Sequence, residues 1–262
     1  VNLQLASKII LVTGGGRGIG AAIATALADE GAVPVIIGHN SADNQTVVEA
    51  ITKAGGHATS ITAELTHTTE CQLVVEEVAA RFGRIDGLVN NAGINDGVGL
   101  ATGDSEQFLD SLRRNLVHYY DMARFALPWL KQSRGAIVNI GSKVALTGQG
   151  GTSAYAAACG GRNALTREWA VELAPFGIRV NAVIVAECFT PMYANWLASR
   201  PDPDAARRSI EARIPFGQRM TTAEEIAATV VFLISPRSSH TTGQWIHVDG
   251  GYVHLDRAAP GY

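Results

Sequence analysis

Short β-branched runs alternate with helix-forming stretches from residue 8 to residue 248, and this alternation restricts the chain more than any other feature. Strands separated by helical crossovers pair in parallel, and a parallel sheet needs helices over both of its faces. Strands are expected at residues 8–13, 33–37, 57–62, 86–89, 135–140, 178–184 and 244–248. Helices are expected at 21–30, 43–54, 68–82, 105–131, 153–173 and 222–234, the third turning Leu73, Val74 and Val78 inward. No repeat or low-complexity linker interrupts the pattern, so residues 1–262 are expected to form one α/β domain around one core.

The first strand runs into Thr13-Gly14-Gly15-Gly16-Arg17-Gly18-Ile19-Gly20, and a strong helix former follows. Glycines there let backbone N–H groups approach a pyrophosphate at a helix N-terminus, where the macrodipole favours negative charge. The expected fold is therefore a Rossmann-like, doubly wound sheet of about seven parallel strands with helices on both faces. NAD or NADP is the expected cofactor. The second strand ends at Gly38-His39, where an acidic side chain would take a ribose 2′-hydroxyl and a basic one a 2′-phosphate. Neither is present: Gly38 leaves room and Arg17 and His39 are able to face a phosphate, although His39 equally suits a plain loop.

Other ligand classes find little support. The net charge of -3 gives no footprint for nucleic acid or an anionic membrane, and no apolar run reaches the ~18 residues needed to span a bilayer. Residues 1–7 lack a signal-peptide pattern, and Cys71, Cys159 and Cys188 are scattered as free thiols would be. A cytoplasmic protein is expected. Residues 193–213, with prolines at 201 and 203 and clustered charge, are expected to be the least regular part, and 187–215 to cover a substrate as a lid.

Chemistry concentrates in two places. In the 105–131 helix, Asn115 falls in an inward stripe with Phe108, Leu112, Tyr119, Met122 and Ala126, so it must be hydrogen-bonded, whether for structure or function. Ser142 leaves the fifth strand at its carboxyl end, where open α/β sheets bind ligands, and Tyr155 opens the next helix with Cys159 one turn on.

These residues together resemble the short-chain dehydrogenases/reductases, whose active site is Asn, Ser and Tyr-x-x-x-Lys. The resemblance implies Asn115, Ser142 and Tyr155 as catalytic residues, with Cys159 at the lysine position. It also makes Asn90-Asn91-Ala92-Gly93 the family's second signature and Glu64-Leu65 the loop beside the adenine, Glu64 being otherwise a solvated loop residue. Thr190 follows a segment in which Val185-Ala186 replaces the family's Pro-Gly, and would face the carboxamide. The implied cofactor residues are thus Thr13, Gly14, Gly16, Arg17, Gly18, Ile19, Gly20, Gly38, His39, Glu64, Leu65, Asn91, Ala92, Gly93 and Thr190. In the family the lysine lowers the tyrosine pKa and binds ribose, and a neutral thiol does neither, so the resemblance implies weak activity or none.

A narrower resemblance, carried by residues 93–97, 147–150, 167–170 and 249–257, is to the L-fucose dehydrogenases, which oxidise an anomeric hydroxyl. It implies a sugar or other alcohol as substrate, with Asn95, Gln149, Glu187, Tyr193, Asn195 and Trp196 as possible polar and aromatic contacts. A 3-oxoacyl thioester or other carbonyl reductase, with a more apolar lid, is the alternative, and a non-catalytic nucleotide-binding subunit is another. Family members pair through the two long helices, which implies a homotetramer, with the tail at 252–262 packing on a neighbour.

Overall fold

The computed structural model describes residues 1–255, so Asp256, Arg257 and most of the expected tail lie outside the described residues. Seven parallel strands form one sheet, in the order β3-β2-β1-β4-β5-β6-β7, with helices on both faces. The strands are β1 Ile9–Thr13, β2 Val33–Gly38, β3 Thr59–Thr62, β4 Gly87–Asn90, β5 Ala136–Ser142, β6 Arg179–Val185 and β7 Trp245–Val248. The order reverses between β1 and β4, and at such a switch the loops diverge and open a crevice at the strands' carboxyl ends.

Helices α1 Gly18–Asp29, α2 Ser41–Lys53 and α10 Ala223–Ile234 cover one face. The other carries α3 Thr68–Phe82, α4 Ser105–Leu112, α5 His118–Ser133 and α7 Ser153–Leu173. Central strands buried on both sides read as continuous apolar runs: Ile9 to Val12 and Val35 to Ile37 are all buried. Each fully buried Ile, Leu or Val stabilises by roughly 1.5–3 kcal/mol relative to exposure. Among the described residues no helix is long and apolar enough to cross a membrane.

The structure departs from the expected elements in three places. The expected 105–131 helix is broken at Arg113–Val117 by a π-helical turn, which disturbs the i to i−4 ladder around Asn115. In α3 the inward face is Cys71, Val74, Val75 and Val78, so Val74 and Val78 point inward as expected, whereas Leu73 is exposed and Cys71 and Val75 complete the stripe. The supposedly irregular 193–213 segment holds two helices, α8 Pro191–Ala198 and α9 Pro203–Glu211. Their prolines open them: proline's missing N–H is no loss in the first turn, and Thr190 and Asp202 accept from Tyr193 and Ala205 N–H as caps. The short helix α6 Val144–Thr147 follows Ser142.

Candidate active site

The glycine loop is built around close approach. A Cβ on Gly20 would stand 2.1 Å from the Gly14 carbonyl oxygen, so only glycine lets α1 start against the turn. Asn91 locks this turn from the neighbouring strand: its Nδ2 donates to the carbonyls of Thr13 (2.9 Å) and Gly14 (3.2 Å). Thr13 Oγ1 in turn accepts from the backbone N–H groups of Asn91 (2.8 Å) and Ala92 (3.1 Å). Asn90 ties β4 to β5 through Asn139 Oδ1 (3.0 Å), and Asn139 donates to Thr166 Oγ1 on α7 (3.0 Å). A Cβ on Gly18 would lie 3.3 Å from Thr190 Cγ2, so the loop and the start of α8 stand together, with Ile19 packed beneath in the core. This cradle fits the pyrophosphate of a dinucleotide.

At the expected ribose position the surroundings are more specific than the sequence suggested. Asn44 is buried, its Nδ2 donates to the Gly38 carbonyl (2.8 Å), and its Oδ1 would meet a Cβ on either Gly38 (2.8 Å) or Gly16 (2.5 Å). Arg17 is held by both oxygens of Asp43 (2.6 and 2.8 Å), in the first turn of α2. His39 is exposed beside them. Glu64 is exposed and accepts from Thr66 N–H (3.1 Å) and Oγ1 (2.9 Å), whereas the Leu65 side chain points into the core beside Cys71.

The switch point brings Asn115, Ser142, Tyr155 and Cys159 together. Ser142 ends β5, and half-buried Tyr155 lies in the first turn of α7. The Ser142 and Cys159 side chains stand beside the Tyr155 hydroxyl, close enough to bias its ionisation. Burial, and to a lesser degree Cys159, pushes the Tyr155 phenol up to about 12, while Arg162 and the Ser142 hydroxyl pull it back. Burial also raises the Cys159 thiol, leaving it protonated and neutral near pH 7.

Asn115 is wholly buried and satisfied. Its Oδ1 accepts from Ile94 N–H (2.8 Å) and Arg162 Nη2 (3.3 Å), and its Nδ2 donates to Ser111 Oγ (3.3 Å). The Asn115 carbonyl accepts from Arg162 Nε at 2.6 Å. Arg162, which sequence reasoning missed, is only 3% exposed. Its signal was available: Tyr155, Cys159, Arg162, Thr166 and Trp169 recur at helical spacing, placing an arginine in a buried stripe. Gly93 makes room for it, since a Cβ there would be 2.8 Å from Arg162 Nη2 and 2.9 Å from Asn115 Oδ1.

A second polar group stands just past Ser142. Lys143 is buried, forms an ion pair with Glu187 and lies over the Tyr252 ring (4.0 Å). Tyr193 Oη donates to the other Glu187 oxygen (2.7 Å), and its ring meets that of Trp196 edge-on at 5.3 Å. Glu187, Tyr193 and Trp196, expected as substrate contacts, thus stand together, and Lys143 and Tyr252 join them unforeseen. Asn95, Gln149 and Asn195 are exposed, with Asn95 Oδ1 accepting from Gly97 N–H (3.3 Å). All three cysteines are free and buried, and no group of residues suited to a metal occurs among the described residues.

Comparison with known proteins places this architecture. Residues 14–253 match the family model described as enoyl-(acyl carrier protein) reductase. The chain is 37% identical over 253 residues to a 3-oxoacyl-[acyl-carrier-protein] reductase of Thermotoga maritima, covering 96% of this chain and all of the relative. It is 39% identical over 250 residues to the short-chain reductase protein NovJ of Streptomyces niveus, covering 93% of each. The L-fucose dehydrogenase of Bos taurus is 36% identical over 249 residues, covering 95% of this chain and 90% of that one. Among solved structures, Cj0485 dehydrogenase superposes with a TM-score of 0.94 at 41% identity, covering 99% of both chains. The narrower resemblance to L-fucose dehydrogenases is thus matched or exceeded by reductases and singles out no substrate. The fold, the glycine cradle at the switch point and these near full-length similarities identify an NAD(P)-dependent oxidoreductase: the chain belongs to the short-chain dehydrogenase/reductase superfamily.

Proposed function

We propose that this chain works as a carbonyl reductase, interconverting a ketone and a secondary alcohol at the site between Ser142 and Tyr155. The side-by-side placing of the Ser142 and Tyr155 hydroxyls carries the reading, because it offers a proton donor and a second hydroxyl to one substrate oxygen. The reduced nicotinamide would supply the hydride to the carbonyl carbon. Tyr155 gives its proton to the carbonyl oxygen and Ser142 holds that oxygen by a hydrogen bond; in the alcohol-to-ketone direction Tyr155 takes the proton back. Asn115 fixes the π-turn against Ile94 and α7. Thr13, Gly14, Gly16, Gly18, Ile19, Gly20, Asn91, Ala92, Gly93 and Thr190 would line the nucleotide.

The lid at 187–215 supports a ketone with an apolar portion, since Phe189, Met192 and Trp196 all stand exposed along the segment leaving β6. A second reading, oxidation of an anomeric sugar hydroxyl, draws on the polar group Lys143, Glu187 and Tyr193. Leu109, Val117, Tyr120 and Val171 are exposed on the helices expected to pair, which favours the homotetramer; a monomer in sedimentation equilibrium at micromolar concentration would refute it.

The test is a substrate panel with both nucleotides: oxidation of NADH and NADPH with 3-oxoacyl thioesters and small ketones, and reduction of NAD and NADP with L-fucose and other free sugars. Faster turnover of ketones, abolished in Tyr155→Phe, is expected. Faster oxidation of sugars selects the second reading, and turnover of neither class overturns both.

A further inference from the structure

A phenol that must lose its proton near neutral pH needs a neighbouring positive charge, and the neutral thiol of Cys159 provides none. One turn further along the same face, the helix places Arg162. Its guanidinium carbon lies 5.7 Å from the centre of the Tyr155 ring and 4.5 Å from that of Tyr119. Gly161 lets α7 come close to the π-turn, where a Cβ would be 2.7 Å from Leu116, and the guanidinium enters the gap. There it donates to the Asn115 carbonyl (2.6 Å), the Ile140 carbonyl (3.3 Å) and Asn115 Oδ1 (3.3 Å).

Every one of those acceptors is neutral. Among the described residues no carboxylate forms an ion pair with Arg162. A buried cation without an anion is expensive, and a neutral side chain would tie the three elements together at lower cost. The groups facing it are Tyr155 and Cys159 on α7, and His118 and Tyr119 on α5. His118 is buried and held down to about 4, so it remains neutral. Tyr119 keeps its proton in a hydrogen bond to the Ile140 carbonyl (3.2 Å). Of these, Tyr155 is the one beside Ser142 at the carboxyl end of β5.

We propose that Arg162 is the positioning cation of this site, stabilising the Tyr155 phenolate from one helical turn beyond the place where relatives carry lysine. The proposal rests on Tyr155 being the proton-transfer group assigned above. It supplies, from further along the helix, the kind of charge that Cys159 lacks, against burial that still holds the Tyr155 phenol above its ordinary value.

The first experiment needs no substrate. A ring-fluorinated tyrosine, whose lower intrinsic pKa brings the titration into a range where the protein stays folded, is placed at position 155. Its ¹⁹F shift is followed against pH in the protein, in Arg162→Lys, in Arg162→Gln and in Cys159→Ala. Arg162→Gln should raise the midpoint by about 1 to 3 units, as loss of a close opposite charge does, while Arg162→Lys leaves it nearly in place and Cys159→Ala, which removes a group that holds the phenol up, does not raise it. With a substrate, kcat/KM at neutral pH should fall by about 10- to 10³-fold in Arg162→Gln, its pH profile moving alkaline by the same amount, and Arg162→Lys should rescue most of it.

Cys159→Lys decides the matter even if Arg162→Gln does not fold. With Arg162 already charging the site, a second buried cation should bring no gain in rate. A rise of about 10²-fold or more in Cys159→Lys would show that the charge was missing after all, and would overturn the proposal. An unmoved midpoint in folded Arg162→Gln would overturn it as well, leaving Arg162 a purely structural tie. Absence of turnover with every carbonyl and sugar, beside a fluorine midpoint that responds to Arg162, would refute the proposed function and leave this inference standing.

Discussion

The Lys143 and Glu187 pair offers a prediction whose size follows from burial. The two side chains are 8% and 13% exposed, so water screens them little. Glu187→Gln keeps the volume and an acceptor for Tyr193, but it leaves the Lys143 ammonium buried with an aromatic face and no counter-charge. Breaking such a pair by removing one partner costs about 3 to 5 kcal/mol. At roughly 2–4 °C per kcal/mol for domains of 150–250 residues, and slightly less for a longer chain, Tm should fall by about 5–18 °C. The double variant Lys143→Met/Glu187→Gln removes the orphaned charge and should recover more than half of that loss. Thermal unfolding followed by circular dichroism at fixed pH and salt measures all three proteins. A Glu187→Gln protein within about 2 °C of the original, or a double variant worse than the single, would show that the pair is not desolvated.

Three further outcomes are expected. Gly20→Ala should abolish nucleotide binding in calorimetry and lower Tm, because the Cβ would sit 2.1 Å from the Gly14 carbonyl; unchanged NAD affinity would contradict the cradle. Asp43→Asn should release Arg17 and improve NADP affinity relative to NAD by about 1.4 kcal/mol or less, that is up to tenfold, and equal effects on both would mean Arg17 is remote from the 2′ position. Asp86 is buried, which by itself raises its pKa, but Arg84, the Ile9 N–H and Lys8 outweigh burial and leave it below the usual carboxylate value. Its contribution to stability is therefore present above about pH 4 and is lost as pH falls further, so Asp86→Asn should destabilise at pH 7 and flatten the acid limb of denaturant midpoints.

Strand and helix alternation was legible because short continuous β-branched runs, buried on both faces, contrast with longer helix-forming stretches of period 3.6 even without tertiary information. The glycine loop was legible for a related reason: Gly14 to Gly20 has no other physical excuse. What escaped depended on contacts distant in sequence. Asn44 fills the space beside Gly38 from the next helix, and Asp43 claims Arg17, so a site that read as open to phosphate is already furnished. The π-turn left no mark in the periodicity of 105–131, yet it sets the Asn115 carbonyl before Arg162. Pro201 and Pro203 were read as marks of irregularity, although Pro203, with Asp202 before it as cap, opens a helix. Arg162 itself was readable as a charge in a buried stripe, but only alongside the missing lysine does it acquire a role.

The central claim is hydride transfer at a carbonyl carbon with Tyr155 supplying the proton. Reduced nicotinamide deuterated at its transferable position, incubated with the preferred ketone, tests it by mass spectrometry of the product. The account predicts one deuterium on the new carbinol carbon, formed by the original chain and Arg162→Lys but not by Tyr155→Phe. Product without deuterium, or labelled product formed equally well by Tyr155→Phe, would contradict it.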